Sequence, residues 1–294
     1  MTLKGELVLH IGYPKTATTT LQIGLFSRCP DLNYLGKFLP SHRFADHALH
    51  DLMWTAQMGN FSAWREMKQV HGAALMQAVQ REPDKVSVLS SENFLHSWSQ
   101  SPDVVAKRLH EVAPEARILI TVREQVAFLR SWYRWHGGYG QYLFLNKYID
   151  EACEFPLSAD EWLHYQFAAP DRNVIGILEY DAIIDAFEDL FGADRVHVLC
   201  YETLVKNPMD YFGAIAEVFA LPLAQVVEAL ENVHENSEKN PYSERESGEP
   251  LTGNFSPNGI ARIRAKFAAS NSKLEAKRNL GLAEAGYAMD ATMT

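Results

Sequence analysis

A three-layer α/β fold, with a mostly parallel central sheet flanked by helices, is predicted by three features of the sequence. Short, nearly all-apolar segments recur along the chain at Glu6–Ile11, Val86–Ser90, Arg117–Val122 and Val196–Cys200. Longer segments between them repeat apolar residues at helical spacing. Composition agrees: 47% of the 294 residues are hydrophobic and 22% charged, the balance of a chain that buries a core. Strands apolar on both faces are covered on both faces, and parallel pairing needs the intervening helices as crossovers. The length lies at the upper edge of what one core supports, so a single domain over 1–294 is expected.

The elements follow in order. Glu6–Ile11 reads as a buried strand, closed by the turn residues Gly12-Tyr13-Pro14. A helix opens at threonines 18 to 20, with Leu21, Ile23, Leu25 and Phe26 behind them. His42–Met58 and Ser62–Arg81 carry helical spacing, the second through Trp64, Met67, Val70, Leu75 and Val79. Val86–Ser90 is the second strand, Pro102–Val112 a helix, and Arg117–Val122 a third strand rich in β-branched residues. An aromatic helix runs from about Val126 to Tyr142, and Glu161–Phe167 and Ala182–Phe191 are helical. Val196–Cys200 is the fourth strand, followed by helices near Pro208–Phe219 and Leu223–Leu230. His234–Asn254 is polar, with Pro241, Gly248, Pro250 and Gly253, and reads as a long loop. A helix over Pro257–Arg278 leads the C-terminal helical segment, 257–294.

Totals exclude several functions. A formal net charge of -10 argues against a surface for nucleic acid or anionic membranes, which needs a basic excess. Cys29, Cys153 and Cys200 are scattered and odd in number, matching neither a zinc site nor a disulfide framework. With no leader pattern and no span-length apolar stretch, a cytoplasmic protein without a membrane segment is expected.

Parallel sheets bind ligands at the carboxyl ends of their strands, so residues just after each strand matter most. After the first strand stands Gly12-Tyr13-Pro14-Lys15-Thr16-Ala17-Thr18-Thr19-Thr20-Leu21-Gln22. A helix N-terminus offers unpaired N–H groups to an anion, the hydroxyls of Thr16, Thr18, Thr19 and Thr20 add donors, and Lys15 adds a full charge. The order differs from the nucleotide triphosphatase loop Gly-x-x-x-x-Gly-Lys-[Ser/Thr], because Lys15 stands near the front. The bland alternative is a threonine-capped turn with a surface lysine. After the third strand, Arg123 is followed eight residues on by Ser131 and then by Trp132-Tyr133. A guanidinium and a nearby hydroxyl make a phosphate clamp. The alternative there is an arginine paired with Glu124.

These two segments, in this order, resemble the sulfotransferase family. The first resembles its 5′-phosphosulfate loop, Pro-Lys-x-[Gly/Ala/Ser]-[Thr/Ser]-[Thr/Ser]-x-Leu, with Ala17 where many members carry glycine. The second resembles its 3′-phosphate site. Tyr201-Glu202-Thr203-Leu204 is similar to the family's Tyr-Glu-Asp-Leu segment and is read as structural. The resemblance runs from about residue 6 to 220, and on through the helix containing Ser270-Asn271. It implies a P-loop nucleotide-hydrolase-like sulfotransferase fold. It also implies 3′-phosphoadenosine 5′-phosphosulfate (PAPS) as co-substrate, with adenosine 3′,5′-bisphosphate as product and no metal. The chain lacks the C-terminal Arg-Lys-Gly segment of cytosolic members, which places it nearer the bacterial and carbohydrate-modifying branches; Lys239 and Arg245 are substitutes.

The implied chemistry is in-line sulfuryl transfer to a hydroxyl or amine of a small molecule, a glycan or a lipid. Lys15 is the candidate cation at the leaving phosphate. Ser90-Ser91-Glu92-Asn93 ends the second strand, making Glu92 the candidate general base and His96 the alternative. Glu92 as a helix-start carboxylate, and His10 as a satisfied core histidine, are the structural readings. His42, His47 and His50 read as one packed or solvated helix face. Trp132, Tyr133, Trp135, Tyr139 and Tyr142 flank an acceptor or pack the core. An ATP- and Mg²⁺-dependent P-loop kinase, and a non-catalytic nucleotide-binding module, are the competing functions.

Overall fold

Leu7–His10 forms β1, and all four side chains are buried. It has parallel neighbours on both sides: Val8 is in register with Val88 of β4 (Val86–Ser90), and Leu9 with Ile118 of β5 (Arg117–Val122). An interior strand sandwiched between helices has no solvent face, which is why its sequence is apolar without alternation. β6 (Val196–Cys200) pairs in parallel beyond β5. In the computed structural model the described residues are 6–38, 41–95, 101–136, 157–168, 174–231 and 251–291.

Two further strands lie on the other side. β2 (Leu32–Phe38) runs parallel to β4, and the two-residue β3 (Arg43–Phe44) returns antiparallel to β2. The order in the six-stranded sheet is β3-β2-β4-β1-β5-β6. Neither was expected from the sequence, because Asn33, Gly36 and Lys37 interrupt the apolar run and β3 is too short to show a period. The helix expected over His42–Met58 therefore starts later, at His47, where the Asp46 side chain accepts from Ala48 N–H at 3.0 Å. His42 stands outside that helix, in a left-handed turn with φ 54°. Gly36 has φ 117°, and a Cβ there would stand 2.8 Å from the Phe44 backbone, so only glycine lets β3 return so closely.

The chain divides into two compact units. The first, Met1–Val122 with Tyr180–Glu235, contains the whole sheet. On one face Val8, Val88 and Leu119 pack with Leu25, Phe26, Phe212, Ile215 and Phe219. The helices Pro102–Val112, Pro208–Phe219 and Leu223–Leu230 have the bounds their apolar spacing predicts, and Phe61–Gln80 and Tyr180–Phe191 start within two residues of them.

The second unit, Arg123–Glu179 with Asn236–Thr294, contains the helices Gln125–His136, Ala159–Ala168 and Pro257–Arg278. Trp132 stacks on Phe128 at 5.8 Å, and the Tyr133 hydroxyl donates to the Leu157 carbonyl at 2.6 Å, so both are core residues. Trp135 is exposed. Tyr139, Tyr142, Cys153, Lys239, Arg245 and most of the expected loop 234–254 lie outside the described residues. No described helix is long and apolar enough to cross a membrane.

Candidate active site

The segment after β1 is held by its own backbone geometry. Ile11 N–H continues the sheet by donating to the Leu119 carbonyl at 3.0 Å. Tyr13 is buried edge-on against Tyr180, ring centroids 4.9 Å apart. Lys15 and Ala17 then adopt left-handed conformations, φ 66° and 63°. Left-handed residues in a turn gather backbone N–H groups into a concavity suited to an anion. A helix follows over Thr18–Thr20 and widens to a π-turn over Leu21–Phe26, a winding found frequently at functional positions.

The cap separates this turn from an ordinary helix start. The N-cap residue is Ala17, which makes no side-chain cap hydrogen bond to the first-turn N–H groups. A threonine at that position would have supplied an oxygen. The Thr16 hydroxyl instead donates back to the Tyr13 carbonyl and is fully buried, so it braces the loop, and what it offers a ligand is its backbone. Thr18 is buried, while Thr19 and Thr20 are half-buried. The expected preference for glycine at residue 17 has its reason in the observed φ, which costs alanine about 1–2 kcal/mol.

β4 brings a second set of side chains to the same carboxyl edge. The Ser91 hydroxyl caps the short 3₁₀ turn Glu92–Phe94, accepting from Asn93 N–H at 3.3 Å, so Glu92 is not the capping residue. Its carboxylate is shared between two partners. Oε1 accepts from Lys37 Nζ at 3.0 Å, and Oε2 lies 3.4 Å from Gln22 Nε2. Gln22 also donates to Ser90 Oγ at 2.9 Å, and Ser90 Oγ meets His10 Nδ1 at 2.8 Å.

Burial alone would push the Glu92 carboxyl up, but the Lys37 charge and the hydrogen bonds from Lys37 and Gln22 outweigh it and hold the group below its usual range. Burial lowers His10 from 6.5 to about 4 against the opposing charge of Glu92, so its ring is neutral at neutral pH. His10 is only half satisfied: Nε2 is buried and meets no hydrogen-bond partner among the described residues. That nitrogen faces Gly12, where a Cβ would come within 3.0 Å of it. Sequence reasoning missed Lys37 and the roles of Gln22, Ser90 and His10. The signal for Gln22 and Ser90 was their position beside the two strand ends; for Lys37 there was none without β2.

In the second unit Arg123 is half-buried just before the Gln125–His136 helix, and Ser131 is half-buried within it. Glu124 Oε2 accepts from Ala127 N–H at 2.7 Å, so this carboxylate serves the helix start. The helix is tied at its first residue by a buried amide pair: Gln125 Nε2 donates to Asn271 Oδ1 at 2.7 Å, and Asn271 Nδ2 returns a bond to Gln125 Oε1 at 3.2 Å. Gly253, at φ 63°, lies against the Arg130 backbone, where a Cβ would come within 2.9 Å of the carbonyl oxygen. His96 lies outside the described residues.

This architecture is known. A crystal structure of a sulfotransferase from Alicyclobacillus acidocaldarius matches 95% of this chain and 97% of its own, with a TM-score of 0.55 and 17% identity. The fold is that of a sulfotransferase. Lower similarity extends to the sulfotransferase domain of the Synechococcus PCC 7002 olefin synthase, at TM-score 0.43 and 16% identity over 91% of this chain and 87% of that one. The mouse sulfotransferase SULT7A1, complexed with PAP, gives 0.46 and 11% over 90% and 84%. No protein-family model and no curated protein sequence matches the chain.

Proposed function

We propose that the chain is a PAPS-dependent sulfotransferase. The observation that carries this reading is the turn Lys15–Thr20: a lysine and a helix start that lacks a side-chain cap, at the carboxyl end of an interior parallel strand. An anionic 5′-phosphosulfate is the natural cap for such N–H groups. Arg123 and Ser131, in the pattern the family uses for the ribose 3′-phosphate, supply the second anion site.

In the proposed reaction the acceptor oxygen forms a bond to sulfur as the bond from sulfur to the phosphate oxygen breaks. The acceptor's proton passes to the Glu92 carboxylate, which its partners hold ionised. Lys15 balances the charge developing on the released phosphate, leaving adenosine 3′,5′-bisphosphate. No metal has a step in this scheme. The acceptor is a hydroxyl or amine compound.

Two measurements test the reading. Adenosine 3′,5′-bisphosphate at a hundred times its dissociation constant should raise stability by about 2.7 kcal/mol without magnesium. Labelled PAPS should pass its sulfur to an acceptor. Stabilisation by ATP with magnesium and none by the bisphosphate would replace this reading with a kinase. Nucleotide stabilisation without transfer to any acceptor would leave a binding module.

A further inference from the structure

We propose that Lys37 is a cation that exchanges partners during the reaction: it holds the Glu92 carboxylate in the resting protein and passes to the transferred sulfate group as Glu92 takes the acceptor's proton. This role rests on the sulfotransfer reading, with Glu92 as the base.

The sheet builds the pair. Gly36 of β2 stands opposite Leu89 of β4, so the residue after Gly36 and those after Ser90 emerge at one carboxyl edge. The Lys37 carbonyl accepts from the Tyr34 hydroxyl at 2.6 Å, which fixes the backbone from which the side chain leaves. Nζ reaches Glu92 Oε1 at 3.0 Å, with only 13% of the lysine side chain and 21% of the glutamate side chain exposed. An ammonium carries three donors. Glu92 takes one, and the others meet no partner among the described residues. On Glu92 both oxygens are engaged, Oε1 by Lys37 and Oε2 by Gln22. The spare capacity of the pair therefore lies on the cation, and the oxygens of an anion would fill it.

Charge balance calls for the exchange. A neutral hydroxyl gives up one proton and gains a sulfuryl group, so it ends as a sulfate ester with one negative charge. With the proton on Glu92, the pair loses its negative member as an anion of equal charge forms. A nearly buried ammonium left without a counter-charge is unfavourable. Moving Nζ from the carboxylate to the sulfate oxygens keeps the local charge at zero before and after the step. The exchange also strengthens the base. Burial pushes the Glu92 carboxyl up, and the Lys37 charge is the largest of the influences that bring it down. Once Lys37 turns away, burial is opposed only by the remaining hydrogen bonds, and proton affinity rises toward the range a base needs. No neighbouring group can replace the lysine. His10 of β1 is neutral at neutral pH, and burial keeps Tyr34 of β2 protonated. His42, before β3, has its pKa lowered by burial and by Lys37 against the opposing charge of Glu92.

The exchange links anion binding to proton uptake, and it can be read without knowing the acceptor. Inorganic sulfate is the probe, with adenosine 3′,5′-bisphosphate present to occupy the anion turn. Calorimetric titration of the full chain at about pH 6, in two buffers of different ionisation enthalpy, counts the protons. Wild type should take up protons with sulfate, and its affinity should rise as pH falls from about 7 to 5. Glu92→Gln releases Lys37 beforehand, so sulfate should bind about tenfold more tightly at pH 7 and without uptake. Lys37→Gln should weaken sulfate about tenfold and abolish the uptake, and Lys37→Arg should restore both. Sulfate binding to wild type without proton uptake would overturn the proposal, as would unchanged affinity in Glu92→Gln or in Lys37→Gln. The wild-type proton count needs no substitution and decides by itself where a variant does not fold. A protein that ignores the bisphosphate yet shows Lys37-dependent proton uptake with sulfate rejects the sulfotransfer reading and keeps the exchange.

Discussion

The turn after β1 and the cluster around Glu92 stand at the same carboxyl edge of the sheet, but they are built in opposite ways. The turn is contiguous: six residues, Lys15–Thr20, contain its charge, its hydroxyls and its backbone donors. The Glu92 cluster is assembled from four places, with His10 ending β1, Gln22 on the following helix, Lys37 in β2, and Ser90 and Glu92 around the end of β4. A contiguous site is set by local conformation and tolerates distant changes. An assembled one depends on register, and each member is buried enough that losing a partner alters the charge of another.

That contrast can be tested most strongly at Glu92. On the proposed chemistry Glu92→Gln should lower turnover by about 10² to 10⁴ while the bisphosphate still stabilises the protein, since removing a general base spares the anion turn. Unchanged turnover would transfer the role of base elsewhere. Lys15→Ala should cost about 10² to 10³ in kcat/KM, the scale for one group that stabilises developing charge, and should also weaken the bisphosphate's thermal shift. A variant that lost turnover with full nucleotide stabilisation would separate Lys15 from binding.

Stability against pH tests the cluster next. His10 titrates near 6.5 when unfolded and at about 4 when folded, so the unfolded chain binds the extra proton between those values. Stability attributable to His10 is therefore complete above pH 6.5 and falls as pH drops toward 4, by about 3 kcal/mol. Glu92, whose folded pKa is depressed, acts in the same direction but at lower pH, its contribution lost as pH falls through the folded value. Urea melts of His10→Gln should show a flatter slope between pH 6.5 and 4 than wild type, and an identical slope would remove His10 as the cause. The smallest effect belongs to the contiguous turn: Ala17→Gly relieves the left-handed strain but adds freedom to the unfolded chain, for a net gain under about 1 kcal/mol in thermal melts.

The same contrast explains what could be read from the sequence. Interior strands β1, β4 and β5 were legible because burial on both faces leaves an apolar run, the edge strand β6 through Val196, Val198 and Leu199, and the strand-to-helix turn at Lys15–Thr20 because its residues are consecutive. β2 and β3 were not, since Asn33, Gly36 and Lys37 look like loop residues until the neighbouring strand is known. Lys37 vanished with them, and with it the ion pair that decides the state of Glu92. His10 was read as a satisfied core histidine because its burial is visible in an apolar strand, whereas its open Nε2 is a fact of three dimensions.

β1 precedes both of its partners in the chain and is an interior strand of the finished sheet; the partners begin near residues 86 and 117. During synthesis β1 therefore waits for more than a hundred further residues to appear before both of its edges are covered. Long-range pairing of this kind is slow, and an uncovered apolar strand invites association with other chains. The turn after β1 therefore takes its shape only once a strand more than a hundred residues further along the chain has been made.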